Sequence, residues 1–271
     1  MNDEPGPRHI LSLSGGKDSA ALAIYMRERV AEMEYVFNDT GKELPETYDY
    51  LARLEDFLGR PVIRLNADLG FDHWYEVYGG MIPSNHRRWC TKMLKLKPFE
   101  DFVGEDVVFN YIGLRADEDR AGYISHKPNI TPIYPFRDDG LKLADVEEIL
   151  RTSGVGMPPY TEWGRTRSGC FFCFYQQKIE WVHLKAQHPD LFEEAKTYER
   201  PYPGSGNVFT WTSGESLEEL ERPERQQAIR DEHARRARAQ AIRGENLTLA
   251  EVFARRTETS DADEACLICT L

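Results

Sequence analysis

Ser14-Gly15-Gly16-Lys17-Asp18-Ser19 stands between a short apolar run, His9 to Leu13, and the segment Ala20 to Met33. In that segment Leu22, Ile24, Tyr25, Val30 and Met33 recur at helical spacing. The order is therefore strand, glycine-rich loop, helix. Glycines let a backbone approach phosphates closely and turn successive N–H groups toward them. The helix start adds partial positive charge. Lys17 brings a full charge, and Ser14 and Ser19 bring hydroxyl donors. Asp18 either helps to hold a magnesium ion or caps the helix. A Walker loop needs four residues between its first glycine and Gly-Lys, so this is a different cradle. The plain alternative is a glycine-rich turn capped by Ser and Asp.

Working outward, Tyr35 to Phe37 forms a second strand that ends in Asn38-Asp39-Thr40-Gly41. Pro45 and Glu46 open a helix with Tyr48, Leu51, Leu54 and Leu58 on one face and Gly59 near its end. Pro61 to Leu65 reads as a third strand, and Asp106 to Leu114 as a fourth, buried one. Strands alternating with helices predict an α/β fold, a parallel twisted sheet with helices on both faces. Beyond Arg115 the pattern loosens. Asp117 to Pro135 reads as a polar loop over the site, Leu143 to Thr152 as a helix, and Gly154 to Gly169 as a loop. Lys178 to Arg200 reads as helical with an interruption at Pro189, and Leu217 to Arg243 as a charged, solvated helix. A polar stretch, Thr257 to Glu264, precedes Cys266-Leu-Ile-Cys269. The expected division is a nucleotide-binding domain over 1–200 and a mostly helical C-terminal extension over 201–271.

Of the 271 residues, 41% are hydrophobic, enough for one large domain and an appended piece. No apolar run approaches the roughly 20 residues that span a bilayer. The polar start, Met1 to Arg8, holds two prolines and does not read as a secretory signal, so a cytoplasmic location is expected. A formal net charge of −12 argues against non-specific wrapping of nucleic acid. His86-Arg87-Arg88 through Lys92, Lys95 and Lys97 is a local basic stretch. Together with Arg115, Arg120, Arg165 and Arg167 it either lines an anionic pocket or forms a solvated face. Five cysteines in this context point to metal or redox roles ahead of disulfides.

The Ser-Gly-Gly-Lys-Asp-Ser loop resembles that of the pyrophosphate-loop superfamily, whose members cleave ATP between the α and β phosphates. Three further segments resemble its phosphoadenosine-phosphosulfate reductase-like branch. They are Val36-Phe37-Asn38-Asp39-Thr40-Gly41 with Pro45-Glu46-Thr47, then Cys90-Thr91-x-x-Leu94-Lys95-x-Lys97-Pro98, and Gly113-Leu114-Arg115-Ala116-Asp117-Glu118 with Arg120. The resemblance covers about residues 9–200 and implies a Rossmann-like nucleotide fold. It places Ser14 to Ser19 on the phosphates and Asn38, Asp39, Thr40, Gly113 and Arg115 around the nucleotide. An intact Lys17-Asp18 pair is similar to that of the ATP-using members. These include DNA phosphorothioation sulfurtransferases, which the chain resembles most in motif content.

Cys170-Phe-Phe-Cys173 with Cys90 resembles the thiolate set of a [4Fe-4S] cluster, with Cys266 or Cys269 as a candidate fourth ligand. A zinc site, a redox dithiol and ordinary buried thiols stay open. The resemblance implies an adenylating sulfurtransferase, an ATP pyrophosphatase, with Lys17, Asp18, Cys90, Arg115 and Cys266 as its working residues. ATP, Mg2+ and the cluster are the implied cofactors. A cysteine desulfurase is the implied sulfur donor and DNA or tRNA the acceptor. No membrane is involved, and a homodimer and other modification-complex proteins are candidate partners. Two alternatives remain. One is a sulfonucleotide reductase using Cys266 as nucleophile with thioredoxin as reductant. The other is a non-catalytic adenine-nucleotide binder.

Overall fold

The computed structural model describes residues 6–66, 69–119, 127–201 and 208–245, with the backbone alone for 240–245. The described residues fall into two compact units, 6–78 with 86–171, and 79–85 with 172–245.

In the first unit, β1 (Arg8–Leu13) leads into α1 (Lys17–Met26), then β2 (Met33–Asp39), α2 (Pro45–Leu58), β3 (Val62–Asn66) and α3 (Phe71–Val77). A continuous helical segment follows: α4 (Trp89–Thr91), a π-helical stretch (Lys92–Leu96) and α5 (Lys97–Val103). The unit continues with β4 (Val108–Tyr111), β5 (Ile130–Ile133), α6 (Pro135–Asp138) and α7 (Leu143–Ser153), and a 3-10 turn spans Pro159–Trp163. The five strands are all parallel, in the order β3-β2-β1-β4-β5. Chain direction across the sheet reverses between β1 and β4. Ligands of open α/β sheets bind at such a switch point, beyond the carboxyl ends of the strands.

The period-2 alternation of the strands divides the core between two faces. Leu11, Leu13, Tyr35, Phe37 and Tyr111 pack with Leu22, Tyr50, Leu54, Val146 and Leu150 on one face. Ile10, Val36, Val108 and Ile130 pack with Phe99 and Val103 of α5 on the other. The sheet is thus covered on both sides by apolar stripes, as the strand–helix alternation predicts.

Local chemistry accounts for the departures from that expectation. The helix expected over Ala20 to Met33 ends at Met26, whose carbonyl accepts from Arg29 and Val30. Met33 belongs to β2 and pairs with His9. The loop expected over Asp117 to Pro135 contains β5, masked in the sequence by Pro132. β5 pairs with β4 alone at the sheet edge, where a missing amide is tolerated. The π-helical stretch precedes Pro98, which has no amide to donate to Leu94 and whose ring crowds that carbonyl; a wider turn relieves both. α2 ends as expected, with Gly59 left-handed at φ 65°.

The second unit holds α8 (Lys178–Gln187), α9 (Pro189–Lys196), α10 (Leu217–Leu220) and α11 (Pro223–Glu245). Pro189 separates the first pair as expected, and Pro223 divides what reads as a single charged helix. Its core is aromatic: Trp211 stacks on Phe172 at 4.8 Å and meets Trp181 at 6.1 Å and Tyr198 at 6.2 Å. Among the described residues no helix is long and apolar enough to cross a membrane.

Candidate nucleotide-binding site

β1 delivers the chain to Ser14 at the carboxyl edge of the sheet, and the loop is built by its own side chains. Ser19 Oγ accepts from the Ser14 amide at 3.1 Å and donates to the Gly16 carbonyl at 3.2 Å. Ser14 Oγ lies 3.1 Å from Ser19 Oγ and accepts from the Gly16 amide at 3.3 Å. Gly15 is left-handed at φ 70°, and a Cβ there would stand 2.5 Å from Thr47 Cγ2 of α2. Gly16 is the N-cap of α1 without a side-chain cap, so the first-turn amides of Lys17 and Asp18 open toward the loop. The arrangement can receive an anion chemically.

The segment after β4 closes on the start of α1. A Cβ on Gly113 would lie 2.9 Å from the Asp18 carbonyl oxygen and 3.2 Å from the Ser19 amide, backbone atoms that cannot rotate away. Two residues on, Arg115 Nη1 donates to Asp18 Oδ1 at 2.6 Å and Nε to Asp117 Oδ1 at 2.9 Å, with Glu118 Oε1 at 3.6 Å from Nη2. Burial works to lower the Arg115 pKa, but Asp18, Glu118 and Asp117 outweigh it and raise it above the ordinary value. Lys17 Nζ stands 3.7 Å from Asp18 Oδ2.

The end of β2 forms the third side. Asn38 is 3% exposed, and neither atom of its side-chain amide has a partner among the described residues. Asp39 Oδ1 accepts from the Gly41 amide and the Tyr48 hydroxyl at 2.9 and 2.7 Å, which fixes the turn. Thr40 Oγ1 donates to Glu43 Oε1 at 2.9 Å and lies 3.2 Å from Cys170 Sγ, which is 3.8 Å from that same Glu43 oxygen. Burial pushes the Glu43 carboxyl above the usual carboxylate range, against the pull of Lys95, Thr40 and Arg165.

Cys170 is carried by a loop from far along the chain, held by a buried cation. Arg165 is 1% exposed and donates to the carbonyls of Arg167 (3.0 Å), Gly169 (3.0 Å), Cys170 (2.6 Å) and Phe171 (3.5 Å). The Phe171 amide donates to the Lys42 carbonyl at 2.8 Å. Arg165 is thus a brace inside the protein, not a wall of an anionic pocket. The same loop sets Ser168 Oγ 3.2 Å from Ser14 Oγ. Sequence reasoning missed Ser168, because nothing local in Arg167-Ser168-Gly169 marks it as a neighbour of the phosphate loop.

The structure therefore brings together Ser14, Gly15, Gly16, Lys17, Asp18, Ser19, Gly113 and Arg115, and sets Thr40 beside Cys170 at the end of β2. Cys90 lies on α4. Cys90, Cys170 and Cys173 are outside any disulfide. Among the described residues no three His, Cys, Asp or Glu side chains gather to hold a metal ion. Arg120, Cys266 and Cys269 lie outside the described residues.

Residues 8–139 match the phosphoadenosine phosphosulfate reductase domain family. An uncharacterised protein of Methanocaldococcus jannaschii is 29% identical over 213 residues, covering 73% of this chain and 43% of the relative. Adenosine 5'-phosphosulfate reductase of Staphylococcus haemolyticus is 27% identical over 114 residues, 42% of this chain and 46% of the enzyme. The tRNA-specific 2-thiouridylase of Streptococcus uberis is 28% identical over 137 residues, 44% of this chain and 37% of the enzyme. The chain spans less than half the length of each of these relatives. Together with the loop after β1, these matches place residues 8–139 in the pyrophosphate-loop superfamily, among its phosphoadenosine phosphosulfate reductase-like domains.

Proposed function

We propose that this chain is an ATP pyrophosphatase that adenylates an acceptor for sulfur transfer, in nucleic-acid thiolation such as DNA phosphorothioation. The observation that carries the proposal is the complete phosphate loop at the switch point, with Lys17 present and Asp18 held by Arg115. A loop serving a triphosphate needs cationic charge where pyrophosphate departs, and Lys17 with the α1 amides supplies it. The similarity to a tRNA-specific 2-thiouridylase supports sulfur chemistry on a nucleic acid.

In the proposed reaction an acceptor oxygen attacks the α-phosphorus. The new P–O bond forms as the bond to the β-phosphate oxygen breaks, and pyrophosphate leaves against Lys17 and the loop. Sulfide then attacks the activated atom of the acceptor, and the new bond to sulfur forms as AMP leaves with the acceptor oxygen; with a persulfide donor, a second thiol then cleaves the S–S bond of the adduct and leaves as the disulfide with the donor. Asp18 brings a carboxylate to the first turn after the loop. That suits magnesium, which takes one or two protein carboxylates and fills its shell with phosphate oxygens and water, so the ion would add charge to the departing pyrophosphate. The unpartnered Asn38 amide matches the donor–acceptor edge of an adenine base. Cys170, beside Thr40 and Glu43, is the described thiol this site presents to an adenylated acceptor.

Incubation with ATP and magnesium, with and without DNA or tRNA, tests the proposal by release of AMP and pyrophosphate. ATP binding with no AMP under any of these conditions sinks it. The similarity to adenosine 5'-phosphosulfate reductase favours a second reading, sulfonucleotide reduction, which sulfite release from a sulfonucleotide and a thiol reductant would establish instead.

A further inference from the structure

The loop held by Arg165 places a hydroxyl against the phosphate cradle from 154 residues away in sequence. Ser168 Oγ donates to Ser14 Oγ at 3.2 Å, and Ser14 Oγ also meets the Gly16 amide and Ser19 Oγ. The space beside Gly16 is shaped by the same hydroxyl: a Cβ on Gly16 would lie 2.9 Å from Ser168 Oγ and 3.1 Å from Ser14 Oγ. Gly16 is not left-handed, at φ −92°, so conformational freedom does not explain a glycine there; crowding by the two hydroxyls does. The guanidinium of Arg165, buried and given over to four loop carbonyls, fixes where Ser168 stands.

We propose that Ser168 is a further phosphate-binding residue, and that Arg165 is the positioning residue that delivers it. Resting on the ATP pyrophosphatase proposed above, the ligand is the polyphosphate of the nucleotide. When it enters, the Ser14–Ser168 hydrogen bond opens and each hydroxyl turns to donate to a phosphate oxygen. The exchange gives up two neutral hydroxyl–hydroxyl hydrogen bonds, Ser168 to Ser14 and Ser14 to Ser19, for two to an anion, which are the stronger kind. No bond to phosphorus is made or broken by either serine. The phosphate loop is in this way completed by the segment that also carries Cys170, so a seated polyphosphate and the thiol share one support.

The test measures dissociation constants of wild type, Ser168→Ala, Ser14→Ala and the double variant for MgATP, inorganic pyrophosphate and adenosine. Ser168→Ala is expected to weaken MgATP and pyrophosphate about 10-fold and to leave adenosine unchanged, the scale of one hydrogen bond to a charged group. The double variant separates direct contact from bracing. If both hydroxyls touch phosphate, the two losses multiply; if Ser168 only steadies Ser14, the double variant is no weaker than Ser14→Ala. The second result, or an unchanged pyrophosphate affinity in Ser168→Ala, overturns the inference. Arg165→Lys, which keeps the charge but loses the fork, is expected to reproduce the Ser168→Ala loss for pyrophosphate and again spare adenosine. An equal loss for all three ligands would mean general unfolding of the site and would overturn the positioning role. A wild-type protein that binds neither MgATP nor pyrophosphate sinks the underlying ATP proposal as well, an outcome distinct from wild-type binding with an indifferent Ser168→Ala.

Discussion

Arg115 and Asp18, 97 residues apart in sequence, meet at 2.6 Å between Nη1 and Oδ1, tying the segment after β4 to the first turn of α1. The same guanidinium bonds Asp117 through Nε, so it spans two carboxylates at fixed angles. A lysine cannot do this from one ammonium. Arg115→Lys is expected to lower the rate of AMP formation about 100-fold, the order seen when a preorganised electrostatic group is lost, with a smaller change in KM for ATP. Steady-state kinetics on the folded variant checks it; an unaltered rate would remove Arg115 from the working machinery.

Gly113 permits that approach. Gly113→Ala puts a methyl 2.9 Å from the Asp18 carbonyl, and the helix start must shift. The expected cost is about 1–3 kcal/mol of stability with at least a tenfold loss of ATP affinity. Thermal unfolding and calorimetric titration measure the two. Retention of wild-type affinity would show that α1 relaxes without disturbing the loop.

At Gly15 two penalties coincide, a left-handed backbone and the Thr47 methyl at 2.5 Å. Gly15→Ala is therefore expected to destabilise, and adding Thr47→Ser, which deletes that methyl, is expected to restore part of the loss. The residue remaining is the backbone cost, roughly 1–2 kcal/mol. Equal melting temperatures for the single and double variants would contradict the geometry.

Asn38 is a case where stability and binding oppose each other. A buried amide with both atoms unpartnered burdens the fold, and an apolar residue of similar shape relieves it. Asn38→Leu is expected to raise the melting temperature of the nucleotide-free protein and to abolish ATP binding. Loss of both, or gain of neither, would count against a nucleotide contact for Asn38.

Much of this was legible in the sequence, and the limits have physical causes. Strand–loop–helix around Ser14 to Ser19 and the α2 boundaries, Pro45 and Gly59, are set by local chemistry. They stand in the structure where glycine, proline and apolar spacing put them. β5 was hidden by Pro132, because whether a strand lies at an edge is a property of the sheet and not of the segment. Arg165 reads as an anion-binding residue in sequence and proves to be an internal brace, since a guanidinium serves carbonyls as readily as phosphates. Ser168 was invisible for a similar reason: its role depends on an approach to Ser14 that only the folded chain makes.

The second unit offers a test by acid. Hydrogen bonding from Arg225, then the ion pair with Lys178, holds the Glu215 carboxylate down to about 2, from 4.5 in the unfolded chain. Folded protein takes up this proton less readily than unfolded protein, so the stability contributed is complete above about pH 4.5. It is lost as pH falls through about 2. Glu215→Gln is expected to cost about 1 kcal/mol near neutral pH, after screening by water, and to flatten the acid limb of the unfolding curve. An identical acid limb in variant and wild type would refute the assignment.

The clamp that Arg165 places on residues 167–171 also has a consequence for biosynthesis. A ribosome releases the glycine loop early, yet the serine beside it emerges more than 150 residues later. A nascent chain stalled or truncated before that point would carry every strand of the described sheet and still lack one hydroxyl of the proposed grip, so nucleotide would stabilise it less than the finished molecule. Ligand-assisted folding would reach full strength only once translation had passed the clamp, which separates finished molecules from partial ones.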